Sequence, residues 1–364
     1  MTDIIFSFDT EDFTSSRAAD GILYEAKLFH EEGVRGCFQL VGLLAKQLKA
    51  WGREDVIEAL SHHEIDTHTY GHTLHPMINE YTDLEDFYEA KAELIRQETL
   101  GIDYIKETFG IDRVYSACPP GNQKSYVAMY GYHDMGIPVY ADTFCEVKEG
   151  TGAYYCNMFH VYYYFGIEWF LRDATDEDIK AKLDDLATRE RAIIYTHPNM
   201  IIKDDFWDQV NYHKENLVPF GEWIEPNDLP AEVTEAVLNN MRKLIRFIKA
   251  DPRFRITTYK ELSEELKADG ERIVGRDFVP EIKEHLSKTF FPMQRPMSLS
   301  LSDMILACRD FLDGKEEHLC GDVYGFLDKP YEISAPLTVT KDEIIASTSQ
   351  IKDGEFLPAK FIVG

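Results

Sequence analysis

The chain has no run of about 18 apolar residues, the length that a membrane-spanning helix needs. Its Met1 region leads directly into a strand-like segment, with no basic stretch followed by an apolar one. Neither a membrane span nor a secretory leader is expected, and the protein is read as cytoplasmic. Paired cysteines are lacking as well. The six cysteines stand at 37, 118, 145, 156, 308 and 320, and none forms a Cys-x-x-Cys pair. A cysteine zinc site is therefore not expected, and in a reducing compartment these residues are free thiols. Positive charge is scarce: 38 Lys and Arg face 65 Asp and Glu, a formal net charge of -27. Phosphate contacts would be repulsive on such a surface, so neither nucleic acid nor an anionic membrane is an expected partner.

The chain does have enough apolar residues, 44% of 364, to bury a sizeable core. That length suits one large domain with a smaller one attached. Chemistry-bearing residues concentrate in His68-Thr69-Tyr70-Gly71-His72, with His75 three residues on. Histidine is the commonest neutral metal ligand, and a hard divalent site adds a carboxylate to two imidazoles. Read blandly, the same stretch is a polar loop whose histidines hydrogen-bond locally. Two other stretches weigh against that. Ile4-Ile5-Phe6-Ser7-Phe8 reads as a strand and ends in Asp9-Thr10-Glu11-Asp12, three carboxylates in four residues. Like charges that close repel, so one must be neutralised or bound to a cation. Ala192-Ile193-Ile194-Tyr195-Thr196-His197-Pro198 reads as a second buried strand ending in a histidine.

Between these stretches strand and helix alternate. Helices are expected over 17–33, 43–62, from Leu84 towards Phe109 with a Thr82/Glu85 capping box, over 124–135, from Thr175 to Arg189, and over 230–249. Strands are expected over 34–40, 65–67, 114–117, 137–140 and 254–256. This rhythm with short loops implies parallel strands and right-handed crossovers. The fold expected is α/β, a distorted TIM-like (β/α) barrel of seven strands. Such barrels carry their chemistry at the C-terminal strand ends, where Asp9, His68, the Pro119 loop, Asp142 and His197 all fall. Residues 151–170 are rich in aromatics, including Tyr163 and Trp169. They are either the faces of a sugar site or an ordinary hydrophobic strand pair. Trp207, in a loop or short helix over 205–212, either walls the pocket or packs.

Four segments in this order resemble the polysaccharide deacetylases of carbohydrate esterase family four, the NodB-homology fold. Ser7-Phe8-Asp9-Thr10-Glu11-Asp12 is similar to that family's first motif in a spaced form. His68-Thr69-Tyr70-Gly71-His72 matches the second closely. Cys118-Pro119-Pro120-Gly121-Asn122 falls at the third, and Tyr195-Thr196-His197-Pro198 at the last. The resemblance covers roughly residues 1–265. It implies a divalent metal, Zn²⁺ or Co²⁺ or similar, held by His68, His72 and a carboxylate from Glu11 or Asp12. Strand geometry alone leans to Glu11. Asp9 would act as general base and His197 as general acid. The Pro119, Gly121 and Asn122 backbone would offer an oxyanion donor, with Trp207 near the substrate. The implied reaction is hydrolysis of an N-acetyl or O-acetyl group from a carbohydrate. One departure stands out: the family's third motif supplies an arginine that braces the aspartate, and Ala117 or Cys118 replaces it here. Two alternatives stay open, a same-fold amidohydrolase acting on a small non-sugar amide, and a carbohydrate-binding homologue without turnover.

After about residue 275 the rhythm changes. The barrel is assigned to 1–275 and an accessory extension to 276–364. The extension carries one amphipathic helix over Ser302–Asp313 and a strand-like tail punctuated by Pro330, Pro336 and Pro358. It holds no chemical motif. Substrate recognition, homo-oligomer contacts or structural support are its expected uses.

Overall fold

The computed structural model describes residues 1–142, 147–148, 150–212, 222–321, 324–326, 338–349, 351 and 356–357. Cys145 and the prolines at 330, 336 and 358 lie outside the described residues. The chain separates into two compact units. The first comprises Met1–Thr143, Glu149–Thr151 and Val161–Ser263; the second comprises Phe144–Lys148, Gly152–His160 and Glu264–Gly364.

Strand β1 (Thr2–Thr10) is the axis of the first unit. Its alternation decides which residues line the barrel. Phe6 and Phe8 point outwards onto Phe29 of α1 (Ala19–Glu31), with edge-on ring contacts at 5.0 and 4.9 Å. Ser7 and Asp9, on the other face, point into the barrel. Along one edge β1 pairs in parallel with β8 (Arg191–Thr196) from Asp3 to Phe8. Along the other it pairs with β9 (Phe254–Ile256) at Thr2–Ile4 and with β2 (Cys37–Leu40) at Ser7–Thr10. Strands β3 (Glu64–Thr67), β4 (Ser116–Ala117), β5 (Val139–Asp142) and β7 (Met158–Gly166) complete the order β1-β2-β3-β4-β5-β7-β8-β1, a closed parallel barrel of seven strands. Strand β6 (Gly152–Tyr155) pairs with β7. The architecture is the α/β barrel expected from the strand–helix rhythm.

Two elements differ from expectation for local reasons. The helix expected over 43–62 is two helices, α2 (Gly42–Ala50) and α3 (Glu54–Leu60). Gly52 between them takes φ +68°, which ends the first helix. After the one-turn helix α4 (Ile78–Tyr81), the long helix α5 (Phe87–Phe109) starts later than the Thr82/Glu85 box implies. The Thr82 hydroxyl donates back to the Ile78 carbonyl at 2.6 Å and so does not cap a helix ahead of it. Asp86 caps α5 instead, accepting from the Glu89 N–H at 2.9 Å. Helices α6 (Tyr126–Asp134), α7 (Phe170–Asp173), α8 (Asp176–Leu186), α9 (Trp207–Tyr212) and α10 (Ala231–Ala250) follow, and α11 (Tyr259–Ala268) runs on from the last strand.

The second unit has its own core of Val274, Ile282, Met293, Leu299, Met304, Ala307 and Phe311. An antiparallel pair, Ile273–Gly275 with Glu317–Leu319, and the helix Leu301–Leu312 frame it. That helix is capped by Ser300, whose hydroxyl accepts from the Asp303 N–H.

Candidate metal centre and active site

Glu11, His68 and His72 each offer a ligand atom within 4.8 Å of the other two. Glu11 follows the last residue of β1. Its Oε2 lies 2.7 Å from His72 Nε2 and 3.8 Å from His68 Nε2. Glu11 Oε1 is buried and has no hydrogen-bond partner. His68 Nδ1 faces the Cys118 carbonyl at 3.0 Å, which turns Nε2 toward Glu11. Two imidazole nitrogens and a buried carboxylate with a spare oxygen are a fitting donor set for a divalent ion such as Zn²⁺.

The histidine segment is held in an unusual backbone. Thr69 has φ +68° and His72 φ +54°, left-handed values that cost a β-branched residue most. Hydrogen bonds fix the conformation. The Gly42 and Leu43 N–H groups, opening α2, donate to the Thr69 and Tyr70 carbonyls at 3.0 Å each. Thr69 Oγ1 accepts from the His72 N–H at 3.1 Å. From α5, Glu98 Oε1 accepts from the Tyr70 N–H at 3.2 Å and from the Tyr81 hydroxyl at 2.7 Å. Glu98 Oε2 accepts from the Tyr132 hydroxyl at 2.8 Å.

Beside this group stands a second pair. His197, just past the end of β8, directs Nε2 to Asp9 Oδ2 at 3.6 Å. Its Nδ1 donates to Glu168 Oε1 at 2.9 Å. Burial disfavours the imidazolium, but the Glu168 hydrogen bond and charge, with Glu11 and Asp9, outweigh it and hold His197 up at about 10. For Glu11, burial works against the carboxylate. The His72 charge and the His68 and His72 hydrogen bonds prevail and carry it well below the usual range. Burial lowers the His72 pKa, and the Glu11 charge and hydrogen bond overcome that and raise it.

Asp12 is placed differently. Its Oδ1 accepts from the Thr14 N–H at 2.9 Å and from the Thr14 hydroxyl at 2.5 Å, a local turn after β1. Burial, more than these bonds and the Glu11 charge, sets its pKa, raised to about 6. It belongs to neither of the ligand groups found among the described residues, Glu11/His68/His72 and Asp9/His68/Cys118. His75, the other histidine of the segment, bonds Glu80 at the surface at 2.7 Å. Asp142 is buried at the end of β5, with Lys124 Nζ at 3.9 Å.

Trp207, fully buried, packs against His72 with ring centroids 5.5 Å apart, against Phe13 at 5.1 Å and against Trp223 at 5.0 Å. It backs His72 from inside. In the third-motif loop, Pro119 and Pro120 carry no N–H, so only Gly121 and Asn122 can donate from that backbone. Gly121 takes φ +52°.

Two side chains that contact Asp9 and His197 have no counterpart in the motifs. Glu168 follows β7 and orients His197. Tyr163, on β7, donates its hydroxyl to Asp9 Oδ1 at 2.9 Å, a carboxylate with no arginine partner among the described residues.

No family model and no curated protein matches the chain. Several solved structures are similar to it. A protein of Mycobacterium smegmatis described as a polysaccharide deacetylase shares 14% identity at a TM-score of 0.47, over 74% of this chain and 91% of that one. PuuE allantoinase shares 12% at 0.48, over 74% and 91%. A family 4 carbohydrate esterase from Streptomyces lividans in complex with acetate shares 13% at 0.39, over 71% and 92%.

Proposed function

We propose that this chain is a metal-dependent hydrolase that removes acetyl groups from an N-acetylated or O-acetylated carbohydrate. The observation that carries the reading is the pairing of two sets of groups in one barrel mouth. Glu11, His68 and His72 form a buried donor group, and Asp9 with His197 forms an acid–base pair beside it. Glu11, His68 and His72 would hold the ion. A divalent ion bound there supplies Lewis-acid polarisation of the substrate carbonyl.

The remaining roles belong to the chain's own groups. Asp9, whose Oδ2 lies 3.6 Å from His197 Nε2, takes the proton of the attacking water. His197, kept charged by Glu168, gives its Nε2 proton to the leaving nitrogen or oxygen. Glu168 fixes the ring through Nδ1, so Nε2 and not Nδ1 faces the reaction. The N–H groups of Gly121 and Asn122 are the candidates for the developing oxyanion. Aromatic faces favour a sugar. Phe206 meets His197 edge-on at 4.8 Å, and Trp169, about half exposed, lies 6.0 Å from Phe206. Such faces suit the apolar side of a pyranose ring.

The test is acetate release from N-acetylglucosamine oligomers and from O-acetylated sugars by Zn²⁺- or Co²⁺-loaded protein, before and after chelation. Release that chelation abolishes supports the reading. Hydrolysis of small cyclic or linear amides with no acetate from any sugar sinks it in favour of the amidohydrolase alternative.

A further inference from the structure

Among the described residues no arginine pairs with the Asp9 carboxylate, yet one of its oxygens is tightly engaged. Tyr163 donates to Oδ1 at 2.9 Å. The same phenol oxygen lies 3.0 Å from Ser7 Oγ, and Ser7 Oγ accepts from the Tyr259 hydroxyl at 3.1 Å. All three hydroxyl residues are buried, Ser7 and Tyr259 completely. A phenol has one proton to give. Cys118 Sγ lies 3.2 Å from it, but a carboxylate oxygen is a stronger acceptor than sulfur, so the proton goes to Asp9. Ser7 then donates to Tyr163, because the one Tyr163 proton is already given to Asp9. The chain runs one way, Tyr259 to Ser7 to Tyr163 to Asp9, and each donor polarises the next.

The backbone explains why Tyr163 reaches the site. Strand β7 carries a register shift against β8: Tyr163 faces Ile193 while Phe165 faces Ile194. Bulges of this kind re-aim side chains next to active sites. The Tyr163 ring is clamped by stacking on Tyr195 at 4.8 Å. Burial, reinforced by the Asp9 charge, raises the phenol well above its usual range, so it stays a donor.

We propose that Tyr163 is the positioning residue for Asp9: it holds Oδ1 through an oriented hydroxyl chain with Ser7 and Tyr259 and leaves Oδ2 to face the reacting water. The proposal rests on Asp9 being the base of the reaction proposed above. A neutral donor fixes the carboxylate without adding a cation beside the metal ligands.

The experiment is a double-mutant cycle of Tyr163→Phe and Asp9→Asn in Zn²⁺-loaded protein, reading acetate from N-acetylglucosamine oligomers with metal content and melting temperature alongside. Tyr163→Phe is expected to lower kcat roughly 10- to 100-fold, since sub-ångström misplacement of a catalytic group has that order of effect. KM is expected to stay within about twofold, with metal content and melting temperature near the parent. In the Asp9→Asn background Tyr163→Phe is expected to cost nothing more. Parent-like kcat in Tyr163→Phe while Asp9→Asn is inactive overturns the proposal alone, and so do two losses that multiply. Parent-like activity in Asp9→Asn overturns the base assignment instead. A readout independent of turnover uses protein labelled with ¹³C at tyrosine Cζ. The Tyr163 resonance is expected to move in Asp9→Asn, and an unmoved resonance overturns the proposal even if Tyr163→Phe fails to fold.

Discussion

His197 is the residue whose electrostatics bear most directly on activity. Its usual pKa lies near 6.5 and its folded value near 10. The folded state therefore holds the proton more tightly than the unfolded one. The stability this contributes is complete below about pH 6.5 and is lost as pH rises through about 10. Glu168→Gln removes the carboxylate that opposes burial, so the folded pKa is expected to fall. In metal-stripped protein, the loss of stability between pH 6.5 and 10 should then flatten in urea titrations. The alkaline limb of kcat/KM should move to lower pH. An alkaline limb that stays in place would mean that His197 is not the acid. Asp9 and His197 are legible in the sequence because each follows an apolar run, and His68 and His72 because they stand four apart. Glu168 and Tyr163 are not. Tyr163 reaches Asp9 across 154 positions of chain, through a bulge that no local pattern announces. Its aromatic neighbourhood reads equally as core or as sugar face, and neither reading includes a hydroxyl holding a carboxylate.

The element that shapes the candidate metal site is α5. A Cβ added to Gly101 would lie 2.9 Å from the Tyr70 Cα, and one added to Gly42 would lie 2.3 Å from the Gly101 Cα. Helix α5, α2 and the histidine segment therefore meet backbone to backbone. Two effects of Gly101→Ala oppose each other. Replacing a mid-helix glycine by alanine gains roughly 0.5–1 kcal/mol. Overpacking against main chain costs about 1–3 kcal/mol. The neighbours of such a Cβ are the Tyr70 Cα, Cβ and N, which cannot swing aside, so a net loss is expected. The melting temperature should fall, and Zn²⁺ affinity should weaken because Tyr70 lies between the two ligand histidines. A rise in melting temperature with unchanged Zn²⁺ affinity would show that the segment is not held by this contact. Neither the contact nor the split of 43–62 into two helices is visible in hydrophobic periodicity, which reports faces and not how closely backbones approach. The late start of α5 was hidden for a related reason: Thr82 has the right spacing for a cap, but its hydroxyl already serves the turn before it.

At the scale of the whole molecule, the seven-stranded barrel was legible because strand and helix alternate in order. The extent of the second unit was not, since Gly152–His160 joins it from the middle of the chain. Among the described residues no helix is long and apolar enough to cross a membrane. The candidate ligands come from two distant segments, so only the folded chain assembles them. Zn²⁺ at a hundredfold excess over its Kd should add about 2.7 kcal/mol of stability, read as a rise in melting temperature. His72→Ala should abolish that rise; an equal rise in the variant would place the ion elsewhere. The central claim is sharper than the presence of an ion. Two ligand groups share His68, one with Glu11 and His72 and the other with Asp9 and Cys118. The account assigns the ion to the first and leaves Asp9 free to act as base. Elemental analysis of the parent, Glu11→Gln and Asp9→Asn, each purified and equilibrated with Zn²⁺, separates them directly. The account expects about one Zn²⁺ per chain in the parent and in Asp9→Asn, and a largely empty site in Glu11→Gln. Zinc retained in Glu11→Gln and lost in Asp9→Asn would contradict it.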